Sequence, residues 1–275
     1  MRLETLFPFE DRHHAQFMKQ GYLRLGKLLS LDELAALQQR IDDIMLGRIR
    51  YDNMRFQLDP AHSRGQRNTT IGNEQSTLNY RRIDDLEQDP IFLAYMQHPL
   101  IRQITRRYIG KEVSVFRSMF MNKPAEGGTE LGWHQDVGVG WSIDTNPIVT
   151  VWTALDAATR ASGCMQIAPG SNNLGILNEN HFSSEEDHAK YARDEDVIDL
   201  EAEAGETILL HNFLLHRSGV NTTSAPRRAF STTYMDAATC SVRTGNTFPV
   251  IFGRGALSPA TVTGKAAKLV QVFHG

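Results

Sequence analysis

The 275-residue sequence predicts a mainly β protein with flanking helices, built on a double-stranded β-helix (jelly-roll, cupin-like) core. Three observations carry this. From Val113 to Met235, short apolar segments recur between Gly, Pro and Asn turns, the rhythm of a sandwich or barrel rather than of alternating strand–helix units. Before Val113, apolar residues fall at helical spacing behind capping residues. The strand-rich half also holds His134-Gln135-Asp136 and, eighty residues beyond Asp136, His216, which are metal-ligand residue types on extended segments.

In chain order, residues 10–20 read as a helix stopped by Gly21, a residue suited to the left-handed position after a helix. A short strand follows at 22–25. Ser30 and Glu33 form a capping box ahead of Leu34, Leu37, Ile41 and Ile44, and Gly47 ends that helix. Residues 53–79 are polar and without period, which predicts a long loop. Helices are expected at 91–97 and 100–108. From 113 to 122 the pattern has period two: Val113, Val115, Arg117, Met119 and Met121 share one face. Further strands are expected at 147–155, 164–168, 197–200, 207–210 and 229–235. Residues 174–196 form a polar insertion with a short helix near 184–193. The expected organisation is one domain over 1–275. Within it, 1–110 are mostly helical support and loop, 111–240 the jelly-roll core, and 241–275 a C-terminal segment.

Composition excludes several function classes. Twenty-nine Lys and Arg against 32 Asp and Glu give a net charge of −3, with basic residues spread along the chain. That is neither a nucleic-acid footprint nor a polybasic membrane patch. Cys164 and Cys240 form no CxxC pair or disulfide framework, which fits a reducing compartment. The start shows no secretory-signal pattern, and no apolar run approaches the ~18 residues of a membrane span. The expectation is a soluble, cytoplasmic protein with no nucleic-acid or membrane partner. His13, His14, His62 and His274 read as solvent-facing.

The chemistry concentrates on His134 and Asp136. In extended backbone, residues i and i+2 point to one face, so a single strand end offers an imidazole and a carboxylate to one metal ion. One more His would complete the 2-His-1-carboxylate face of non-haem Fe(II) sites. His211 and His216 are the candidates, five residues apart and therefore on opposite faces of a regular strand. His216 is favoured, because Ser218 shares its face and Pro226-Arg227-Arg228 opens the next strand. Ser218 and an Arg could hold a carboxylate beside the metal, the planar guanidinium matching two carboxylate oxygens. His211 is then structural, hydrogen-bonded to backbone.

At this point the chain resembles the phytanoyl-CoA dioxygenase-like family of Fe(II)/2-oxoglutarate oxygenases. The matching text is Asn122-Lys123-Pro124, Trp133-His134-Gln135-Asp136, Val151 to Asp156, Gly163 to Ser171, Ala204-Gly205-Glu206, and His216 to Asn221 through Arg227. The resemblance covers residues 113–236, and the N-terminal helices fit more loosely. It implies metal ligands at His134, Asp136 and His216, the catalytic set. It implies a 2-oxoglutarate anchor at Arg227 with Ser218 beside it, and further co-substrate contacts at Trp152, Met119 and Arg82. Two departures stand out. Asn172 replaces a His that commonly follows Pro-Gly-Ser, and Val137 to Trp141 replaces an aromatic pattern after Asp136. Both are expected where substrate approaches.

The cofactors implied are Fe(II), 2-oxoglutarate as co-substrate and O2, and the reaction implied is hydroxylation of an unactivated C–H bond of a small molecule, with release of succinate and CO2. Related halogenases carry a small residue at the carboxylate position, so Asp136 favours hydroxylation, or desaturation or epoxidation in natural-product tailoring. A cupin-like isomerase or hydrolase using Zn(II) or Mn(II) on the same ligands would not need Arg227, and a non-catalytic binding module would not need the ligands. Tyr80, Arg82, Trp141 and segments 51–79 and 174–196 are candidates for the mouth and lid; the two segments could equally be solvated surface or a homo-oligomer contact. No Lys- or Arg-rich groove for a coenzyme A tail is visible in the sequence.

Overall fold

The structure, a computed structural model, describes residues 8–63, 69–177 and 182–262. Residues 64–68 and 178–181 of the two polar segments, and 263–275 with His274, lie outside the described residues. The elements are α1 (Asp11–Gln20), β1 (Tyr22–Lys27), α2 (Leu31–Met45), β2 (Arg55–Leu58), β3 (Thr69–Ile71), β4 (Tyr80–Asp84), α3 (Pro90–Met96), α4 (Pro99–Tyr108), β5 (Val113–Lys123), β6 (Leu131–His134), β7 (Val149–Ala154), β8 (Met165–Ile167), α5 (Glu185–Tyr191), β9 (Ile198–Leu200), β10 (Glu206–Leu210), β11 (His216–Ser218), β12 (Arg227–Asp236) and β13 (Val250–Phe252).

The strands form two sheets. The larger has the order β1-β10-β7-β12-β5-β4-β2-β3, with β13 also paired to β5, and the smaller is β6-β11-β8-β9. Every pairing is antiparallel. From β5 to β12 the chain mostly steps between the sheets, the wiring of the expected jelly roll. The local signals act as the sequence implies. Ser30 and Glu33 cap α2 reciprocally, and Gly21 ends α1 at φ 81° with its N–H donating to Phe17 O.

Alternation along the large sheet separates two interiors. On its outer side Val149, Val151, Leu209, Phe230 and Tyr234 meet α2, α3 and α4 in one apolar core. Tyr95 of α3 is hydrogen-bonded through its hydroxyl to Thr153 and Thr207, and Tyr234 donates to Met96 O. On the inner side Trp152, Ala154, Ile208, Leu210 and Ala229 face the small sheet. The functional residues lie between the sheets.

Two expectations change. The loop foreseen at 53–79 contains β2 and β3, and β1 to β4 extend the large sheet, so residues 1–110 add strands to the expected helices and loop. These strands are short, and β3 lies at the sheet's edge, so they bury too few apolar side chains to print a period on the sequence. The single face foreseen along β5 is split by a bulge. Thr233 pairs with Arg117 but Tyr234 with Val115, so Phe116 is an extra residue. Val113 and Val115 therefore join the outer core, while Arg117, Met119 and Met121 face inward. Among the described residues, no helix is long and apolar enough to cross a membrane.

Candidate metal and co-substrate site

β6 ends and β11 begins at one point, because their register pairs His134 with His216. The two rings sit 4.1 Å apart, centroid to centroid. Asp136 follows just beyond β6. Its backbone N–H donates to Asn212 O at 2.8 Å, and the Asn212 amide donates back to Asp136 O at 3.1 Å, which pins the turn. Asp136 Oδ1 then lies 4.0 Å from His134 Nε2, and Oδ2 lies 3.8 Å from His216 Nε2. One donor atom from each of the three residues falls within 4.8 Å of the others.

The imidazoles are oriented from behind. Nδ1 of His134 is 2.8 Å from Gly132 O, and Nδ1 of His216 is 2.9 Å from Leu214 O. A carbonyl only accepts, so Nδ1 carries the proton and Nε2 keeps its lone pair for the shared space. Two neutral imidazoles and one carboxylate around one point fit a divalent iron. His211 lies elsewhere. It packs on Phe17, its Nδ1 accepts from Phe213 N, and burial pushes it down to about 4. This is the structural role expected of it.

The neighbouring arginines Arg227 and Arg228 point in opposite senses. Arg228 forms a two-pronged pair with Asp156 at 2.7 and 2.9 Å and bonds Asp42 at 2.5 Å. Arg227 is buried, donates Nη2 to Gly163 O at 2.5 Å, and leaves Nε without a partner. Burial lowers its guanidinium to about 10, so the fold holds a cation there without a full set of acceptors. Trp152, whose Nε1 is also buried and unpartnered, lines the same space.

A cavity of about 440 Å³ joins these parts. Its walls include all eight residues singled out in the sequence: His134, Asp136, His216, Arg227, Ser218, Trp152, Met119 and Arg82. Arg82 is held by Asp84, with Nη2 at 2.7 Å from its carboxylate. Trp141 and Phe182 also line the cavity. Tyr80 does not reach the mouth; it is buried against Phe56 and donates to Gln75 O. Nor does Asn172 face substrate. Its amide donates to Met18 O, and its Oδ1 lies 2.6 Å from where a Cβ on Gly21 would sit, so it fills the end of α1.

Three basic residues of the cavity wall were not among the candidates: Arg81, Arg117 and Lys123. With Arg82 and Arg227 they bring five basic side chains to one cavity that no run of basic residues announces. Lys123, opposite Arg227 in the β5–β12 register, donates to Thr129 O at 2.6 Å. Burial, and then the Arg227 charge, lower its ammonium to about 7. The signal for Lys123 was present, as it follows Met119 and Met121 at period two.

The family description phytanoyl-CoA dioxygenase (PhyH) matches residues 17–229. A probable phytanoyl-CoA dioxygenase of Caenorhabditis elegans is 28% identical over 239 residues, 82% of this chain and 74% of the relative. The peroxisomal phytanoyl-CoA dioxygenase of Rattus norvegicus is 25% identical over 229 residues, 79% of this chain and 66% of the relative. Two solved structures share the fold. EctD from S. alaskensis, with 2-oxoglutarate and 5-hydroxyectoine, has a TM-score of 0.66 at 21% identity over 95% of this chain and 90% of its own. The epimerase SnoN, in complex with Fe3+, alpha ketoglutarate and nogalamycin RO, has a TM-score of 0.63 at 18% identity over 86% of this chain and 87% of its own.

Proposed function

The chain belongs to the phytanoyl-CoA dioxygenase family of Fe(II)- and 2-oxoglutarate-dependent oxygenases, and on that premise we propose that it hydroxylates an unactivated C–H bond of a small molecule. Bound together, Fe(II) and 2-oxoglutarate activate O2 and yield succinate, CO2 and the oxidised substrate. His134, Asp136 and His216 hold the metal as two neutral donors and one carboxylate, which leaves a net charge of +1. Their backbone hydrogen bonds keep both rings in the binding tautomer. Arg227 and Ser218 take the distal carboxylate of 2-oxoglutarate, a charge-assisted interaction of roughly 1.5–3 kcal/mol. Trp152 Nε1 donates toward the same co-substrate, and Met119 and Arg82 wall it in.

One observation carries this reading against a Zn(II) or Mn(II) isomerase or hydrolase on the same ligands: the buried Arg227, short of acceptors, opens onto the metal cavity. A metal hydrolase has no use for such a cation, whereas a dicarboxylate co-substrate satisfies it. Asp136 keeps a carboxylate where halogen would otherwise enter, which favours oxygen insertion. The test is a small-molecule panel read for Fe(II)-dependent succinate above the background without substrate, with mass spectrometry of the product. Hydroxylation adds one oxygen atom. A product that has instead lost two hydrogens would replace hydroxylation by desaturation, and no succinate at all would sink the oxygenase assignment.

A further inference from the structure

The cavity has a second cationic end that the co-substrate cannot use. On β5 the inward face reads Arg117, Met119, Met121, Lys123. The register with β12 sets Lys123 opposite Arg227, Met119 opposite Ser231 and Arg117 opposite Thr233. Arg117 is thus six residues along the strand from the Arg227 position, about 20 Å at ~3.3 Å per residue. Each guanidinium is held at its own end, Arg227 by Gly163 O and Arg117 by ring contacts. 2-Oxoglutarate is a five-carbon chain and cannot join them.

Arg117 is placed there deliberately by the fold. The extra residue Phe116 in the β5 bulge turns Arg117 inward, where uninterrupted alternation with Val113 and Val115 would have carried it into the outer core. Its guanidinium carbon lies 4.7 Å from the Trp141 ring centroid and 4.9 Å from that of Phe116. Those two rings stack at 4.7 Å with 20° between planes. Ring contact steadies the cation through its face and leaves the N–H edges for a planar oxyanion. Among the described residues the Arg117 side chain makes no hydrogen bond or ion pair, whereas Arg82 is paired with Asp84 and Arg228 with Asp156. Burial and the nearby Arg82 charge make this guanidinium less comfortable as a cation, and Asp136 is the first acidic group that relieves it. An arriving anion would relieve it further and would lie on the metal side of the cavity. Trp141 stacks beside Arg117 in the cavity wall, Thr150 lies across the register from Arg117, and the half-exposed Phe182 packs on His134 at 5.9 Å between ring centroids.

We propose that Arg117 determines substrate specificity by binding a carboxylate of the primary substrate, a small molecule whose apolar portion lies along Trp141 and Phe182 beside the metal. This rests on the oxygenase reading above. The test is calorimetric titration of protein loaded with Mn(II) and 2-oxoglutarate, so that the metal and Arg227 positions are already filled. The probes are hexanoate, 3-phenylpropionate and N-acetyl-leucine, each beside its primary amide. In wild type an acid should bind at least tenfold more tightly than its amide. Arg117→Leu should remove that preference, and Arg117→Lys should restore part of it. The Kd for 2-oxoglutarate should stay within twofold in both variants. The proposal is overturned if amides bind as well as acids, if no acid binds, if Arg117→Leu keeps the acid preference, or if that variant weakens 2-oxoglutarate instead. Failure of the oxygenase reading is separately visible, as absence of Fe(II)-dependent succinate from wild type.

Discussion

Arg227 and Arg228 are adjacent, identical in chemistry and opposite in use. The β12 pleat sends one into the cavity and the other to Asp156 and Asp42. Removing each should therefore do different things. Arg227→Ala should raise the Kd for 2-oxoglutarate by about tenfold or more, since 1.4 kcal/mol is one decade. Arg228→Ala should keep that Kd within twofold and lower the urea midpoint, with a loss of about 1–3 kcal/mol for leaving two partly buried carboxylates unpaired. Calorimetry and urea unfolding of both variants check this, and a silent Arg227→Ala would move the anchor elsewhere. At this scale the candidate pair His134 and Asp136 was legible because its relation is local, two residues apart at one strand end, whereas His216 was favoured over His211 only through its neighbours Ser218 and Arg227. Arg117 was not: a basic residue in a strand reads as solvated until the second sheet closes over it, and Val113 and Val115, in phase with it in the sequence, turn to the other face beyond the Phe116 bulge. For Lys123 the phase with Met119 and Met121 was the one signal.

The elements that carry these residues depend on a few backbone positions. Gly163 sits at φ 74° before β8, and a Cβ there would lie 2.6 Å from Gly219 O and 2.8 Å from Val220 O. Those carbonyls belong to backbone and cannot swing away. The Gly163 carbonyl is also the one that Arg227 donates to. Gly163→Ala should cost roughly 1–3 kcal/mol of stability through αL strain and crowding, and weaken 2-oxoglutarate binding at the same time. Thermal unfolding and a 2-oxoglutarate titration of that variant test the coupling; lost stability with unaltered affinity would separate the turn from the site. Elements with capping or strong alternation were readable, as α2 with its Ser30–Glu33 box shows. β2 and β3 were not, because they gain their order from pairing, β2 with β4 and β3 with β2, rather than from their own burial.

Across the whole molecule, buried polar groups tie the helices to one another and to the large sheet. Arg40, Asp89 and Tyr51 form a buried cluster beneath α2 and α3, with Tyr51 donating to Asp89 at 2.7 Å. His211 ties the end of α1 to the sheet: its N–H donates to Gly21 O and its ring packs on Phe17. Because burial lowers His211 from 6.5 to about 4, the unfolded chain binds the extra proton first. The stability conferred by the neutral ring is full above pH 6.5 and is lost as pH falls toward 4, by roughly 2–3 kcal/mol. Urea unfolding at pH 7 and pH 4.5 should show a smaller pH-dependent loss in His211→Gln than in wild type. Equal losses would assign the acid sensitivity to other groups. The jelly roll itself was legible from the spacing of short strands, while the five-cation cavity emerges only when the two sheets face each other.

If His134, Asp136 and His216 form the iron site, 2-oxoglutarate turnover depends on their carboxylate as well as on the two imidazoles. Anaerobic titration of Fe(II) and then 2-oxoglutarate into wild type and Asp136→Ala, followed by succinate release on admitting O2, tests it most directly. Wild type should bind one Fe(II) per chain and release succinate in an iron-dependent way. In Asp136→Ala iron binding should weaken roughly tenfold or more and succinate release should be lost. An Asp136→Ala protein that binds Fe(II) and releases succinate as wild type does would contradict it.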